Sequence, residues 1–287
     1  MKIVKLEKIE KKFNLNNDLY ALIGGENPTG SIKDVTVFGM LNSYKKEGKL
    51  KPNATVIEAT SGNTGISLAY YQKEFNYKAL IVMPKSMSVE RRNKIAKFGA
   101  ELCLIDGGMR ECEEKATLLS KEIENSFVFS QFDSPYNPQA HYDLTAPFIY
   151  EKTNDIDYLV AGIGTGGTIT GTAKYLKERL PDIKIIGVEP FESPLLTKHF
   201  AAPHLIQGIG ANFIPSILDQ TLLDDVMDVS GKQSIELAKT IRTTELLDVG
   251  YSSGACLLGA IDFIKKVNPE NKKFLLIFPD KGDRYEW

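Results

Sequence analysis

Four short segments rich in glycine, serine and threonine contain the residues best suited to bind an anionic cofactor or substrate. They are residues 27–34 (NPTGSIKD), 60–65 (TSGNTG), 162–171 (GIGTGGTITG) and 250–254 (GYSSG). Glycine lets the backbone approach a ligand closely, and backbone N–H and hydroxyl groups donate hydrogen bonds to phosphates and carboxylates. Because ligands of open parallel sheets bind beyond the carboxyl ends of the strands, where such turns gather, the four segments are candidates for one site.

Lys33 has the side chain that makes the first of these segments chemically informative. A single lysine is usually a solvated surface residue. Apart from Asp34, however, the neighbours of Lys33 in this segment are small, polar or apolar, and three further segments of the same kind accompany it. This combination favours a lysine that forms a Schiff base with a carbonyl cofactor.

The segment at residues 162–171 is a candidate phosphate-binding turn. Its glycines allow close approach, Thr165 and Thr168 add hydroxyl donors, and a predicted helix follows. The spacing of Gly162, Gly164 and Gly167 also fits the G-x-G-x-x-G pattern of dinucleotide-binding turns, with Glu189 about 20 residues further on. A nicotinamide-binding site and a tight turn without a ligand therefore remain alternatives, although no hydride-transfer partner is recognisable.

Short segments rich in valine, isoleucine, leucine and phenylalanine alternate with longer amphipathic segments along most of the chain. The predicted strands are 54–58, 79–83, 101–105, 127–130, 158–163, 184–188 and 273–278. The predicted helices are 63–76, 88–98 (with Ser88 as N-cap and Gly99 as stop), 110–124, 168–179, 232–247 and 253–267. This alternation predicts an α/β fold with parallel sheets covered by helices. Three prolines in residues 134–147 interrupt it and favour a crossing between domains.

The overall composition excludes several classes of function. The 35 basic and 37 acidic residues give a formal net charge of −2, so no net field attracts nucleic acid or an anionic membrane. The three cysteines are far apart and the three histidines form no zinc-binding pattern, so we expect neither a disulfide framework nor a metal site. The N-terminus lacks the apolar core of a signal peptide, which favours a cytoplasmic location.

Six motifs, in this order along the chain, resemble those of the cysteine synthase (O-acetylserine sulfhydrylase) family. They are NPTGSIKD, EATSGNTGISLA, GTGGTITGTAKYLKE, IQGIGANFIP, GYSSGA and PDKGDRY. The family consists of fold-type-II pyridoxal-phosphate enzymes, related to the β subunit of tryptophan synthase. The resemblance implies two open, twisted, mostly parallel sheets flanked by helices. It also implies a smaller mobile domain with the substrate loop (residues 36–140) and a larger domain with the phosphate site (residues 1–35 plus 141–287).

The resemblance also implies a role for each matching residue. Lys33 would hold pyridoxal 5'-phosphate covalently and act as the general base, Asn63 would bond the 3'-oxygen of the cofactor, and Ser252 would face its ring nitrogen. The residues implied around the phosphate are Gly164, Thr165, Gly166, Gly167 and Thr168. Those implied around the substrate carboxylate are Thr60, Ser61, Gly62, Asn63, Thr64 and Gln131.

The function implied by the resemblance is β-replacement on O-acetylserine, or a near analogue, with sulfide to make L-cysteine. An alternative with the same chemistry starts from L-cysteine and releases hydrogen sulfide, with water, serine or a thiol as second substrate, as in cysteine desulfhydrases and lanthionine or cystathionine synthases. A nicotinamide-dependent oxidoreductase is the distant alternative, and Lys33 argues against a catalytically silent binding protein. The resemblance implies a homodimer. It also admits serine acetyltransferase as a partner, for which the residues offer no support.

Several residues depart from the family pattern or receive only a structural interpretation. Val35 replaces the usual arginine after Lys-Asp, and Asn212 stands where glycine is common. An amide at residue 212 near the site would position water or another nucleophile, so the second substrate, the leaving group and the A-like or B-like type stay open. His141 is expected at the surface or in a loop, and Cys256 is expected to be a small packing residue.

Overall fold

The protein, described from a computed structural model at residues 1–87 and 89–287, is built on two sheets. For residues 90 and 91 only the backbone is described. The strands are β1 (Lys2–Lys5), β2 (Asp18–Ile23), β3 (Ala54–Ala59), β4 (Tyr77–Pro84), β5 (Glu101–Ile105), β6 (Ser126–Val128), β7 (Tyr158–Gly162), β8 (Lys184–Pro190), β9 (Asp225–Val229) and β10 (Lys273–Phe278).

The larger sheet has six strands in the order β1-β2-β10-β7-β8-β9. Only β1 is antiparallel to its neighbour β2, and the remaining pairs are parallel. The sequence of β10 explains its central place, because it is apolar at every position after Lys273. Phe274, Leu276 and Phe278 pack on one face of the sheet, and Leu275 and Ile277 pack on the other. A strand buried on both faces is typical of a parallel sheet covered by two helical layers.

The smaller sheet has four parallel strands in the order β5-β4-β3-β6. Its central strand β3 also contributes apolar side chains to both faces, with Val56 in one cluster and Ile57 in the other. The carboxyl end of β3 leads directly into residues 60–65, and that of β7 in the larger sheet leads into residues 162–171. The two sheets therefore place two of the polar segments at strand ends, as the alternation predicted.

Helices cover both sheets. They are α1 (Glu7–Phe13), α2 (Lys33–Lys46), α3 (Asn63–Phe75), α4 (Val89–Ala96), α5 (Met109–Glu122), α6 (Tyr136–Ala140), α7 (Ala146–Lys152), α8 (Gly167–Lys177), α9 (Leu195–Lys198), α10 (Gly231–Thr244) and α11 (Tyr251–Val267). The α/β class predicted from the alternation is confirmed. Within residues 1–87 and 89–287, no helix combines the length and the apolar character needed to cross a lipid bilayer.

The predicted elements are present, with ends that differ by a few residues. Glu101–Ile105 and Lys273–Phe278 coincide with the predicted strands. Gly99 adopts a φ of +85°, which suits a helix stop. The predicted N-cap Ser88 lies outside the described residues. The segment 250–254 was expected to be a turn, but Tyr251 already begins α11, so Ser252 and Ser253 lie in the first helical turn.

Several elements were not predicted from the sequence. Helix α2 is the most important of them because it begins with Lys33. It could not be predicted because most of its residues are buried and the segment lacks an amphipathic pattern. Residues 134–147, the predicted crossing between domains, are mostly helical: α6 is followed by a π-helical turn at His141–Thr145 and then by α7. The division into domains at residues 36–140 stays a prediction.

Candidate active site

The four polar segments line one cavity of about 270 Å³. Its wall combines residues that follow β3 of the smaller sheet with residues at the ends of β7 and β10 of the larger sheet. The predicted site residues on this wall are Lys33, Thr60, Gly62, Asn63, Thr64, Gln131, Gly164, Thr165, Gly166, Thr168 and Ser252. Ser61 and Gly167 belong to the same segments but do not line the cavity. A concave site with a few convergent polar groups is the usual form of a small-molecule site.

Lys33 is the first residue of α2, and the turn before it is held by buried polar contacts. The carboxylate of Asp34 accepts hydrogen bonds from the N–H of Thr29, from its hydroxyl and from the hydroxyl of Ser67, each at 2.7 Å. The N–H of Ile32 donates to the carbonyl of Pro279 at 2.7 Å, which ties the turn to the segment after β10. These contacts fix the direction in which the Lys33 side chain leaves the backbone.

The ammonium group of Lys33 is easier to deprotonate than that of an ordinary lysine. Burial lowers the pKa of Lys33 from 10.5 to about 8, and the negative charge of Asp280 opposes that shift. At pH 7 roughly a tenth of such side chains would be neutral, compared with fewer than one in a thousand at the ordinary pKa. A neutral amine is the form that attacks a carbonyl group or accepts a proton.

We therefore expect the protein to form a Schiff base with an added aldehyde, such as the pyridoxal phosphate that the resemblance implies, faster as the pH rises towards 8, and the rate to level off above that value. The neutral fraction of Lys33 increases through its pKa of about 8 and is then saturated. The measurement is the growth of the visible absorbance band after mixing, at pH values from about 6 to 10. Nα-acetyl-lysine, which has an ordinary side-chain amine, is the control, and its reaction should keep accelerating to about pH 10.4. The same continued rise for the protein would contradict a lowered pKa.

The segment after β7 forms a cradle with little side-chain bulk. Gly166 has a φ of +83°, which favours glycine, and α8 begins at the next residue. A Cβ atom on Gly164 would lie 2.3 Å from the carbonyl oxygen of Gly208, so the two loops touch through their backbones. The N-terminus of α8 and the hydroxyl groups of Thr165 and Thr168 are therefore available to an anion at the cavity wall.

Gly167 is a packing position rather than part of the wall. A Cβ atom there would lie 1.9 Å from Oδ1 of Asn137. The Asn137 amide donates to the carbonyl of Gln131 at 2.7 Å and to Oγ1 of Thr165 at 3.1 Å. Asn137, which the sequence did not single out, thus joins the segment around Thr165 to the segment around Gln131.

The segment after β3 places polar atoms at the start of α3. The Thr64 hydroxyl donates to Oε1 of Gln131 at 2.6 Å, and both side chains are buried. The N–H of Gly62 donates to Oγ1 of Thr60 at 3.3 Å. Gln131 therefore lies beside the loop, and its carboxamide N–H groups are the donors with which it would bind a carboxylate.

Ser252 lies in the first turn of α11 and is buried. The N–H of Gly250 donates to the carbonyl of Asp280 at 3.0 Å, so the start of this helix is joined to the segment after β10. Cys256, one turn further on, also lines the cavity. Burial raises the pKa of its thiol to about 12, which keeps it neutral and agrees with a packing role.

Sequence reasoning assigned no role to Asp280 and misjudged His141, whereas the turn at residues 208–211 was expected near the site only through its motif. Asp280 is buried and lines the cavity, as does the turn at residues 208–211. His141 was expected at the surface, and this is wrong, because its ring is fully buried. Its Nε2 atom is 2.9 Å from Oγ1 of Thr36 and 3.2 Å from Oγ1 of Thr168, and burial lowers its pKa to about 3. A neutral imidazole thus contacts Thr168 at the start of α8.

Other candidates from the sequence lie apart from the cavity. Glu189 accepts hydrogen bonds from the N–H groups of Leu196 and Thr197 at 2.8 and 2.9 Å. Its carboxylate is therefore engaged within the protein and is not placed to bind the ribose of a dinucleotide. Asn212 is exposed and is not on the wall, although its neighbour Ala211 is. The described part of the chain contains no group of three or more histidine, cysteine, aspartate or glutamate residues that could hold a metal ion.

Comparison with known proteins identifies the family. The family described as pyridoxal-phosphate dependent enzyme matches residues 2–280. The chain belongs to this family. Cysteine synthase B of Campylobacter jejuni is 43% identical over 278 residues, which cover 96% of this chain and 91% of that protein. The resemblance to cysteine synthases predicted from the six motifs is confirmed.

Solved structures agree with this assignment. A hydrogen sulfide-producing enzyme from Fusobacterium nucleatum superposes with a TM-score of 0.93 at 39% identity and covers 99% of this chain and 96% of that chain. Cysteine synthase from Entamoeba histolytica superposes with a TM-score of 0.94 at 37% identity and covers 99% of this chain and 86% of that chain. The fold of two mostly parallel sheets flanked by helices is therefore that of the cysteine synthases, and the protein is a pyridoxal-phosphate enzyme.

The cavity fits this cofactor on the chemistry of its residues. Lys33 would provide an amine with a lowered pKa for the aldehyde, and the turn at residues 164–168, with the helix N-terminus that follows it, would receive the phosphate. Ser252 lines the cavity and would offer its hydroxyl to the ring nitrogen. The Gly164 and Gly166 positions leave no room for a side chain, because a Cβ atom there would lie 2.3 Å from the Gly208 carbonyl oxygen and 2.8 Å from the Cβ atom of Leu218.

Proposed function

We propose that the protein catalyses β-replacement on O-acetylserine with sulfide and so makes L-cysteine. The observation that carries the proposal is the position of Lys33. Lys33 has a pKa of about 8 and lines the same cavity as the turn at residues 164–168 and the loop after β3. Relatives that are named cysteine synthases and match nearly the whole chain support this reaction. Pyridoxal phosphate, when bound, supplies an electron sink for the negative charge that develops at the substrate Cα.

In this proposal the loop after β3 holds the substrate. Thr60, Ser61, Gly62, Asn63 and Thr64 bind the α-carboxylate through N–H and hydroxyl groups at the start of α3, and Gln131 adds a donor. The location of this loop at a helix N-terminus supports the role, because the helix dipole favours a negative charge there. Asn63 would also bond the 3'-oxygen of the cofactor, Gly164, Thr165, Gly166 and Thr168 would surround its phosphate, and Ser252 would face its ring nitrogen.

Lys33 moves the proton. Its neutral Nζ takes the proton from the substrate Cα, the β-substituent leaves, and Nζ returns the proton after sulfide has been added. Ser252 would offer a hydroxyl rather than a carboxylate to the ring nitrogen, and a hydroxyl partner would leave that nitrogen unprotonated, which favours elimination and replacement at the β-carbon. Closure of residues 36–140 over the bound carboxylate would exclude water from the site during these steps.

A second candidate is the same chemistry started from L-cysteine, with release of hydrogen sulfide. It is favoured by the similarity to the hydrogen sulfide-producing enzyme of Fusobacterium nucleatum at 39% identity. Water, serine or another thiol would be the second substrate. The nicotinamide alternative loses its support, because the family uses pyridoxal phosphate and Glu189 is engaged by backbone N–H groups.

The deciding experiment compares the two directions. The purified holoenzyme is assayed with O-acetylserine plus sulfide, measuring cysteine and acetate, and separately with L-cysteine alone, measuring sulfide. We expect cysteine formation to be the faster reaction and borohydride to bleach the visible band and attach the cofactor to Lys33. Faster sulfide release from cysteine would favour the second candidate, and a colourless protein would contradict both.

The proposal also includes a homodimer and a location in the cytoplasm. The family resemblance is the support for the dimer, and light scattering of the purified protein would measure its mass. A formal net charge of −2 gives no reason to expect nucleic acid as a partner.

A further inference from the structure

The carboxamide of Asn63 is held at both of its ends by the segment that follows β10. Its Nδ2 donates to Oδ2 of Asp280 at 2.8 Å, and its Oδ1 accepts a hydrogen bond from the guanidinium of Arg284. Asp280 and Arg284 are themselves anchored, since Tyr285 donates to Oδ2 of Asp280 at 2.8 Å and Arg284 donates to the carbonyl of Thr29. Asn63 begins a helix of the smaller sheet, so the contact joins the two sheets.

These two partners can accept only one orientation of the amide. The side-chain oxygen and nitrogen of asparagine have nearly the same shape and differ in what they donate or accept. The reverse orientation would place the amide oxygen against the Asp280 carboxylate and the NH₂ group against the Arg284 guanidinium, and both contacts would be repulsive. Arg284 offers only donors. The Asp280 Oδ2 atom already accepts two hydrogen bonds, so it stays an acceptor even if a proton is carried on Oδ1.

One consequence concerns the second hydrogen of the Asn63 amide. An NH₂ group donates two hydrogen bonds, and Asp280 takes one of them. Asn63 and Asp280 both line the cavity. We propose that Asp280 and Arg284 are positioning residues that orient the Asn63 carboxamide, so that its remaining N–H is presented to the cofactor. The inference rests on the role proposed above for Asn63, and it assigns a function to two residues of the PDKGDRY motif.

The test measures how tightly the cofactor-free protein binds pyridoxal phosphate, followed by the visible absorbance band in a titration. Asn63→Ala should weaken binding about tenfold, the value of one hydrogen bond of about 1.4 kcal/mol. Asp280→Ala and Arg284→Met should each weaken it by roughly threefold to tenfold. Each double variant with Asn63→Ala should bind no more weakly than Asn63→Ala alone, because both residues act through the same amide.

Two controls separate orientation from general stability. Asp280→Asn keeps an acceptor oxygen and should lose less affinity than Asp280→Ala. Asp224→Ala removes a carboxylate that pairs with Lys177 and Lys184 and does not line the cavity, so it should bind the cofactor as the wild type does. Thermal unfolding of each cofactor-free variant shows whether the fold is retained. If Asp280→Ala does not fold, the affinities of Arg284→Met and of its double variant with Asn63→Ala decide whether the inference holds.

The outcomes distinguish this inference from the proposal on which it rests. Wild-type affinity in Asn63→Ala would contradict the role of Asn63 and therefore overturn the inference as well. Weak binding in Asn63→Ala together with wild-type binding in Asp280→Ala and Arg284→Met would overturn the inference alone. Losses that multiply in the double variants would also overturn it, because they would mean that Asp280 or Arg284 acts independently of Asn63. The direction of the overall reaction is tested separately by the product assay.

Discussion

Replacing Lys33 by alanine is expected to slow formation of cysteine from O-acetylserine and sulfide by about 10²–10⁴-fold, the range typical for loss of a general acid–base group. Lys33 is the lysine on the cavity wall, and its pKa of about 8 suits it to take a proton near neutral pH. The measurement is a product assay with added pyridoxal phosphate, so that loss of covalent attachment is not mistaken for loss of the base. Absorbance changes on mixing with O-acetylserine show whether the amino acid still binds.

Lys49→Ala is the matched control for this experiment. Lys49 is another lysine whose pKa is lowered by desolvation, but it is an exposed residue. Its ammonium group lies over the rings of Tyr44 and Phe127, and it does not line the cavity. It should retain the wild-type rate. Partial recovery of Lys33→Ala with a small primary amine would support the loss of a base. A wild-type rate in Lys33→Ala would mean that another group removes the proton.

Gly167→Ala is expected to lower both cofactor affinity and stability, although Gly167 does not line the cavity. The added methyl group would lie 1.9 Å from Oδ1 of Asn137 and must displace that side chain. Asn137 donates to Oγ1 of Thr165 and to the carbonyl of Gln131, so its displacement disturbs the segment after β7 and the segment around Gln131 together. Overpacking of this kind costs about 1–3 kcal/mol in the free energy of unfolding. Titration with pyridoxal phosphate and thermal unfolding measure the two effects.

Two further variants test the steric explanation. In Gly108→Ala the new Cβ atom would lie 3.4 Å from Oε2 of Glu111, an ordinary contact at the start of α5, so cofactor affinity should be unchanged. In the double variant Gly167→Ala/Asn137→Ala the collision is removed, and part of the lost stability should return. Cofactor affinity should stay low, because the hydrogen bond to Thr165 is still missing. Unchanged affinity and stability in Gly167→Ala would contradict the explanation.

The four polar segments and most of the elements around them were predictable because the signals are local. Apolar runs such as Lys273–Phe278 indicate buried strands, and a glycine with a positive φ, as at Gly99 and Gly166, marks a place where a helix ends or begins. Since carboxyl ends of parallel strands lie at one edge of a sheet, the segments after β3 and β7 were expected beside a ligand. The assignment of the family followed from the six motifs and not from this alternation.

Helix α2 shows where local signals fail. It is buried on most sides, so neither an amphipathic period nor a polar face distinguishes it in the sequence. The same burial lowers the pKa of Lys33, which no neighbour in the sequence could have revealed. Desolvation depends on how much protein surrounds a group, and that is a property of the packed chain.

Asp280, Asn137 and His141 are the residues whose importance only the tertiary structure decided. Asp280 contacts Asn63 from 217 positions away in the sequence, and His141 reaches Thr36 across 105 positions. In the sequence Asn137 and His141 are isolated polar residues with several equally ordinary interpretations, and Asp280 is one residue of the PDKGDRY motif without an assigned role. The local sequence determined which segments bear the chemistry. The packing of two sheets determined which distant side chains hold those segments in place, because a hydrogen bond needs atoms about 3 Å apart, a distance that spacing along the chain does not define.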